Sequence, residues 1–149
     1  MQEKVKVATA QVSPIFMDKD ATLDKTCKVI SEAGQNGAEL IVFPGTYIPG
    51  YAYWRGALPV SRWTELMVEY QKNSLVIPSD DTDILCSAAK EAGVNCVIGC
   101  SELDTLMSGV PSTIRCFSLI KMGICSGSTV NSFQPTVNVW FGVGEMHVI

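Results

Sequence analysis

The sequence lacks the features that mark nucleic-acid-binding and membrane proteins. It has one histidine, His147, and no cluster of Lys or Arg. Because its formal net charge is −4, it offers no basic surface to nucleic acid or to an anionic membrane, and we expect neither as a partner. No apolar run of 18 residues could span a bilayer, and the start MQEKVKV lacks the basic flank and apolar segment of a signal peptide. We therefore expect a cytoplasmic protein.

The cysteines are too scattered to predict a metal site or a disulfide scaffold. There are six, none of them in a CxxC pair and none near the histidine. Both kinds of site need clustered ligands or paired thiols, so we predict no metal and no cofactor. The first four cysteines are predicted to be buried thiols that pack as small hydrophobic side chains: Cys27, Cys86, Cys96 and Cys100.

What the sequence does contain is an alternation of strand and helix patterns. KVKVATAQV predicts a strand that points Lys4 and Lys6 outward and Val5 and Val7 inward. ELIVF is a continuous apolar run, which is typical of a strand covered on both faces. An amphipathic helix pattern lies between the two, so the opening predicts a β-α-β unit with parallel strands.

The first helix is predicted over DKDATLDKTCKVISEAGQNGA. Asp18 or Asp20 can cap its amino end, and Gly34 and Gly37 suit its exit. Its buried stripe is predicted to comprise Leu23, Cys27, Ile30 and Ala33.

The next part of the chain predicts a long loop, two helices and a third strand. Residues 44–60 are rich in Pro, Gly and aromatics, and long loops at strand ends often carry function. Ser61 is predicted to cap a helix, and a second helix over PSDDTDILCSAAKEAG is predicted to end at Gly93. VNCVIGCSE is the predicted third strand. The inner faces of the two helices are predicted to be Trp63, Leu66, Met67 and Tyr70, then Leu85, Ala88, Ala89 and Ala92.

Three segments carry a resemblance to a known family. The run from VATAQVSP to ELIVFP, the later IPGYAYW and the strand VIGCSE resemble the amino-terminal part of a nitrilase, in the carbon-nitrogen hydrolase superfamily. The spacing FP.....PGY..W resembles that of the true nitrilase branch more than that of the amidase branches. The resemblance implies an α/β fold, an incomplete α-β-β-α sandwich of the carbon-nitrogen hydrolase type. It also implies a small organic nitrile as substrate, hydrolysed to carboxylic acid and ammonia, and a homo-oligomer.

The resemblance also implies a site that this sequence does not complete. In the family a cysteine attacks the nitrile carbon, a glutamate moves protons and a lysine stabilises the developing charge. The glutamate directly follows the Phe-Pro at the strand end, and here that position holds Gly45. The residues predicted to line a substrate pocket are Tyr47, Tyr51, Tyr53 and Trp54; the alternative is that these four pack the loop onto the core.

The tail of the chain departs from the family. Only four of the 47 residues from Leu103 onward are charged, against 22 of the first 102, and neither the lysine motif nor the cysteine motif appears. Reading the codons of Cys125 to Gly142 in a shifted frame, with permitted codon choices, gives LGKHRKLIPTYRERVVW, a string of the family kind. Our hypothesis is a nitrilase domain over residues 4–114 and a frameshifted tail over residues 115–149, with no intact catalytic residue. Gly45 would be a second lesion in the same gene, or a cloning or sequencing change.

Two functional classes follow. One is an inactive nitrilase-type fragment, which we expect to aggregate because its sandwich is incomplete. The other is a non-catalytic subunit that pairs with intact relatives. An ordinary doubly wound ligand-binding domain is a weaker third reading because the first strand-to-helix turn lacks GxGxxG. Of the remaining candidates, Glu102 orients groups in the pocket or has a surface or structural role, while Cys125 and His147 are predicted to have no catalytic role.

Overall fold

The structure, a computed structural model, describes residues 4–103 with their side chains and residues 113–120, 124–131 and 146–148 as strands. The described strands are β1 (Val7–Thr9), β2 (Leu40–Val42), β3 (Asn95–Glu102), β4 (Thr113–Ile120), β5 (Ile124–Asn131) and β6 (Met146–Val148). They form one mixed sheet in the order β5-β4-β3-β2-β1-β6. Strands β1, β2 and β3 are parallel, as the β-α-β pattern predicts, and β6 is parallel to β1. Strands β3, β4 and β5 are antiparallel neighbours.

Two long helices cover one face of this sheet and form the core with it. The described helices are α1 (Lys19–Gln35), α2 (Trp54–Ala57), α3 (Trp63–Lys72) and α4 (Asp80–Ala92). Ile30 of α1 and Leu85 of α4 are fully buried in one cluster with Ile41 of β2 and Ile98 of β3. Each such side chain stabilises the fold by about 1.5–3 kcal/mol. In the part of the chain that the structure describes, no helix has the length and apolar character that crossing a membrane requires.

The other face of β2 has only partial cover, which corrects the prediction made for ELIVF. Ile41 and Phe43 are buried on the helix side, whereas Leu40 and Val42 are half-buried on the opposite side. Helices α1 and α4 both pack on the Ile41 side of the strand. The apolar residues of ELIVF that point to the other side are therefore not covered by these helices.

The inward face predicted for β1 is also wrong. Val5 is 46% exposed, and the buried residues are Ala8 and Ala10. Lys4 and Lys6 lie on the same face of the strand as these two alanines, because side chains alternate along a strand. Lys6 lies beside the end of α1, where its Nζ donates a hydrogen bond to the Asn36 carbonyl at 2.5 Å. A cation is stabilised at a helix carboxyl end, so Lys6 can lie on the face that becomes buried two residues later.

Helix α1 begins and is buried largely as predicted. Asp18 is its cap, accepting a hydrogen bond from the Ala21 N–H at 3.0 Å. The stripe is buried at Leu23, Ile30 and Ala33, whereas Cys27 is half-buried. Thr22 and Thr26 are also fully buried, because each hydroxyl donates to the carbonyl four residues earlier.

The two glycines at the end of α1 have different tasks. Gly37 has a φ of +75°, as a helix exit needs. Gly34 lies inside the helix instead, where a Cβ would be 2.6 Å from the Ala92 carbonyl oxygen of α4. The prediction that Gly34 marks the exit is therefore wrong: the glycine lets two helices approach closely.

The predicted loop over residues 44–60 contains the short helix α2, and a 3-10 turn at Val60–Arg62 leads into α3. Ser61 lies within that turn and is not the cap. Of the predicted inner face of α3, Tyr70 is buried and the other three residues are half-buried.

Helix α4 ends at Gly93 as predicted, with φ +68°. Leu85 and Ala89 are fully buried, while Ala88 and Ala92 are half-buried.

The cysteine prediction is confirmed for three of the four thiols. Cys86, Cys96 and Cys100 are buried, and Cys27 is half-buried. Burial, with the Cys27 and Cys86 thiols nearby, raises the pKa of Cys96 to about 12. The Cys96 thiol is therefore a poor nucleophile, because the thiolate is the reactive form.

Candidate functional site

The site starts where β2 ends, because the chain there crosses closely over β3. The Phe43 N–H donates to the Val97 carbonyl at 2.8 Å. A Cβ added to Gly99 would lie 2.5 Å from the Pro44 oxygen, 2.6 Å from the Gly45 Cα and 2.7 Å from the Thr46 nitrogen. Only glycine at position 99 permits this approach of backbone to backbone.

The loop then pairs with the outer half of β3. Ile48 donates to the Gly99 carbonyl at 3.2 Å and accepts from the Ser101 N–H at 2.7 Å. Between the two paired segments, Thr46 has a left-handed φ of 55°. A β-branched residue is strained in that region, and such strain persists only where surrounding contacts hold the backbone.

Gly45 is exposed at this strand end and has room for a side chain. Apart from its two chain neighbours, no atom of the described residues would lie within 4 Å of a Cβ at this position, and the residue borders a cleft of about 640 Å³. The carboxyl ends of parallel strands are where α/β proteins usually bind ligands. Position 45 therefore faces a candidate ligand site without contributing a functional group to it.

The structure brings all four predicted pocket residues to the same cleft. Tyr47 and Trp54 are buried, with 1% and 5% of their surfaces exposed, so both also pack the loop onto the core. Tyr51 and Tyr53 are 55% and 70% exposed at the rim. The described residues that line the cleft are Val12, Ser13, Pro14, Phe16, Pro44, Gly45, Thr46, Tyr47, Tyr51, Tyr53, Trp54, Leu58 and Leu66.

A chain of aromatic contacts connects the rim to the core. Tyr51 and Tyr53 have ring centroids 5.1 Å apart, and Phe16 lies 6.5 Å from Tyr53 and 6.0 Å from Trp54. Trp54 then packs edge-on against Tyr70 at 5.2 Å. Such tilted and edge-to-face pairs are worth about 0.5–1.5 kcal/mol each beyond the area that they bury.

Burial governs the phenols that lie deepest. Burial raises the pKa of Tyr47, and the neighbouring Thr26 hydroxyl partly opposes the increase. Burial also raises the pKa of Tyr70, against a smaller opposing effect of the Ser101 hydroxyl. Both phenols are therefore neutral over the physiological range.

The segment between β1 and α1 is the part of the site that the sequence did not predict. Phe16 lies over Gly50, whose φ is +113° and whose added Cβ would be 2.8 Å from the Phe16 ring. The Met17 N–H donates to the Pro49 carbonyl at 3.1 Å, which joins the two loops. The only signal was the SPIF segment itself, an apolar stretch that fits neither a strand nor a helix period.

Glu102 ends β3 but does not line the cleft. Its side chain is buried, with 7% exposed, so a surface role is wrong and the structural and pocket-orienting roles remain. The side chains of Cys125 and His147 lie outside the described residues, as do those of the segment where the resemblance implies the lysine motif.

The fold and the position of the cleft indicate the family to which the chain belongs. The described residues form an α/β layer in which helices cover one face of the sheet, with a cleft at the carboxyl ends of its parallel strands. The carbon-nitrogen hydrolase family matches residues 6–118, and the chain belongs to this family.

Proteins with similar sequences are nitrilases, as the sequence predicts. An arylacetonitrilase of Aspergillus niger is 44% identical over 101 residues, which cover 68% of this chain and 29% of that protein. An aliphatic nitrilase of Rhodococcus rhodochrous is 43% identical over 103 residues, covering 68% and 27%. The chain spans about a third or less of the length of these curated relatives.

Solved structures share the fold. An amidase from Nesterenkonia sp. superimposes with a TM-score of 0.60 at 16% identity, over 93% of this chain and 51% of that one. A carbon-nitrogen hydrolase from Helicobacter pylori G27 gives 0.59 at 13% identity, over 88% and 40%. The predicted α/β fold of the carbon-nitrogen hydrolase type is thereby confirmed.

Proposed function

We propose that this chain is a nitrilase-like protein that binds a small molecule in its cleft and does not hydrolyse nitriles. The observation that carries the proposal is Gly45, which borders the cleft where the resemblance implies a glutamate. Glycine cannot transfer protons, and loss of a general base typically slows a reaction by about 10²- to 10⁴-fold. Members of a catalytic unit also fail together, so a cysteine and a lysine elsewhere would not compensate.

We also propose that residues 115–149 are a frameshifted tail and that residues 4–114 are the nitrilase part. The abrupt loss of charged residues after Leu103 and the family-like string obtained from Cys125 to Gly142 support this division. Sequencing the coding DNA over these codons tests it. Codons that cannot yield HRKL in another frame would remove the basis of the proposal.

Ammonia release tests the absence of hydrolysis. The purified chain and its Gly45→Glu variant are incubated with phenylacetonitrile, benzonitrile and propionitrile, and the A. niger arylacetonitrilase serves as the positive control. We expect background ammonia from both chains, because glutamate alone supplies neither a nucleophile nor a stabilising cation. Turnover by either chain contradicts the proposal, and turnover by the variant alone would mean that position 45 is the single lesion.

A second candidate is a non-catalytic subunit of an intact nitrilase. The half-buried Leu40 and Val42 favour it, because an apolar sheet face with partial cover suits a protein partner. Co-expression with a full-length nitrilase, followed by affinity purification of this chain, would recover both proteins. Recovery of this chain alone, as a soluble monomer, would count against both the subunit and the expected aggregation.

The similar proteins do not indicate which ligand this chain binds. An arylacetonitrilase and an aliphatic nitrilase match this chain at nearly equal identity, 44% and 43%. The ligand class has to be inferred from the side chains that line the cleft.

A further inference from the structure

Among residues 4–103, whose side chains the structure describes, none that lines the cleft carries a charge. The side-chain polar groups that these lining residues contribute are the hydroxyls of Ser13 and Thr46 and the polar atoms of the aromatic residues. Removing an ion from water without an opposite charge or hydrogen-bond partners is costly. The lining therefore favours an uncharged ligand.

The rim presents aromatic rings that retain exposed surface. Phe16 is 49% exposed, and Tyr51 and Tyr53 are more exposed still. The centroids of Phe16 and Tyr53 are 6.5 Å apart, and the planes of the two rings are tilted by 45°. A planar ring that lies on the exposed surface of these rings can contact one of them edge-on and another in an offset stack, the arrangements that aromatic pairs prefer. A saturated ring of the same size gains only the burial of its surface.

The missing side chain at position 45 leaves space beneath this rim. In the part of the chain that the structure describes, only the chain neighbours of Gly45 come within 4 Å of a Cβ placed there, so a ligand can reach the strand ends. The cleft volume of about 640 Å³ lies within the range of small-molecule sites, roughly 300–1,000 Å³. A compound with one or two rings fits this size.

From these three features we propose that the cleft binds uncharged aromatic molecules in preference to aliphatic or anionic ones. This inference rests on the proposed function, since it assigns a ligand class to a site that binds without hydrolysis. Phe16, Tyr51 and Tyr53 contact the ring, and the space above Gly45 accommodates its substituent.

Ligand-observed NMR titrations with three probes test the preference. Benzonitrile is the aromatic probe, cyclohexanecarbonitrile keeps the nitrile on a saturated ring, and benzoate keeps the ring but adds a charge. Aromatic contacts with Phe16, Tyr51 and Tyr53 predict that benzonitrile binds at least about fivefold more tightly than cyclohexanecarbonitrile. Benzoate is expected to bind more weakly than either nitrile.

Two variants locate the binding site. Tyr53→Leu keeps an apolar side chain at a 70% exposed position, so it leaves the fold intact and should reduce the preference for the aromatic probe by at least about twofold, the effect of one lost aromatic contact. Gly45→Leu should weaken binding of all nitriles by tenfold or more, because it fills the space beneath the rim. Gly56→Leu is the matched control: a Cβ there also has no atom within 4 Å, and Gly56 does not line the cleft.

The outcomes separate this inference from the proposed function. Equal binding of benzonitrile and cyclohexanecarbonitrile, binding of benzoate as tight as that of benzonitrile, or no binding of any probe would overturn the aromatic preference. An unchanged preference in the Tyr53→Leu variant would also overturn it. Ammonia released from benzonitrile would contradict the absence of hydrolysis and leave the ligand preference standing.

Discussion

Replacing Gly99 with alanine should destabilise the protein by about 3 kcal/mol, the upper part of the usual range for overpacking. The added Cβ would lie 2.5–2.7 Å from atoms of Pro44, Gly45 and Thr46. All three atoms belong to backbone, so no side-chain rotation can relieve the contact. The loop has to move away from β3, which weakens the hydrogen bonds of Ile48 to Gly99 and Ser101. Urea unfolding followed by circular dichroism measures the loss.

Gly45→Ala is the matched control for this prediction. It adds the same methyl group on the other side of the same contact, where no atom lies within 4 Å. Alanine also restricts the unfolded chain more than glycine does, so Gly45→Ala should stabilise the protein by about 0.4–1 kcal/mol. If Gly99→Ala and Gly45→Ala unfold at the same urea concentration, the loop does not lie on β3 as described.

The contrast between these two glycines also marks what the sequence could predict. The resemblance identifies Gly45 as the place where a functional side chain is missing, because the Phe-Pro before it fixes the register. The role of Gly99 was not predictable, because its neighbours come from a loop more than fifty residues earlier in the chain. Close contact between distant backbone segments leaves no local sequence pattern.

The helices and parallel strands were predictable because their signals are local. Asp18 caps α1, Gly93 ends α4, and the apolar period places Ile30 and Leu85 in the core. The errors arose where a distant element decides burial. Lys6 is exposed beside the end of α1, on the face that Ala8 and Ala10 bury further along β1, and Gly34 is needed because α4 crosses there.

The aromatic site was predicted in part for the same reason. Tyr47, Tyr51, Tyr53 and Trp54 lie in one loop, so composition alone drew attention to them. Phe16 comes from the segment before α1 and joins them only through the fold, by packing over Gly50 and against Trp54. A residue that reaches a site from a second loop can be identified only from the structure.

Trp54→Ala should have the other large effect, a loss of about 3–5 kcal/mol. Trp54 is 5% exposed and joins the rim to the core through Phe16 on one side and Tyr70 on the other. Removing the indole leaves a cavity between two rings that then lack a common contact. Urea unfolding measures the loss of stability. Binding of benzonitrile by the folded variant measures whether the cleft keeps its shape.

Trp54→Phe separates packing from hydrogen bonding at this position. The phenyl ring keeps contacts with Phe16 and Tyr70, and the substitution deletes the indole N–H, which is buried without a hydrogen-bond partner among the described residues. Deleting an unpaired buried donor removes a desolvation cost of about 1–3 kcal/mol, which offsets much of the lost ring area. We therefore expect Trp54→Phe to cost less than about 1.5 kcal/mol, far less than alanine. A loss as large as that of Trp54→Ala would mean that the N–H holds a hydrogen bond that stabilises the loop, and that ring packing is not what anchors the cleft.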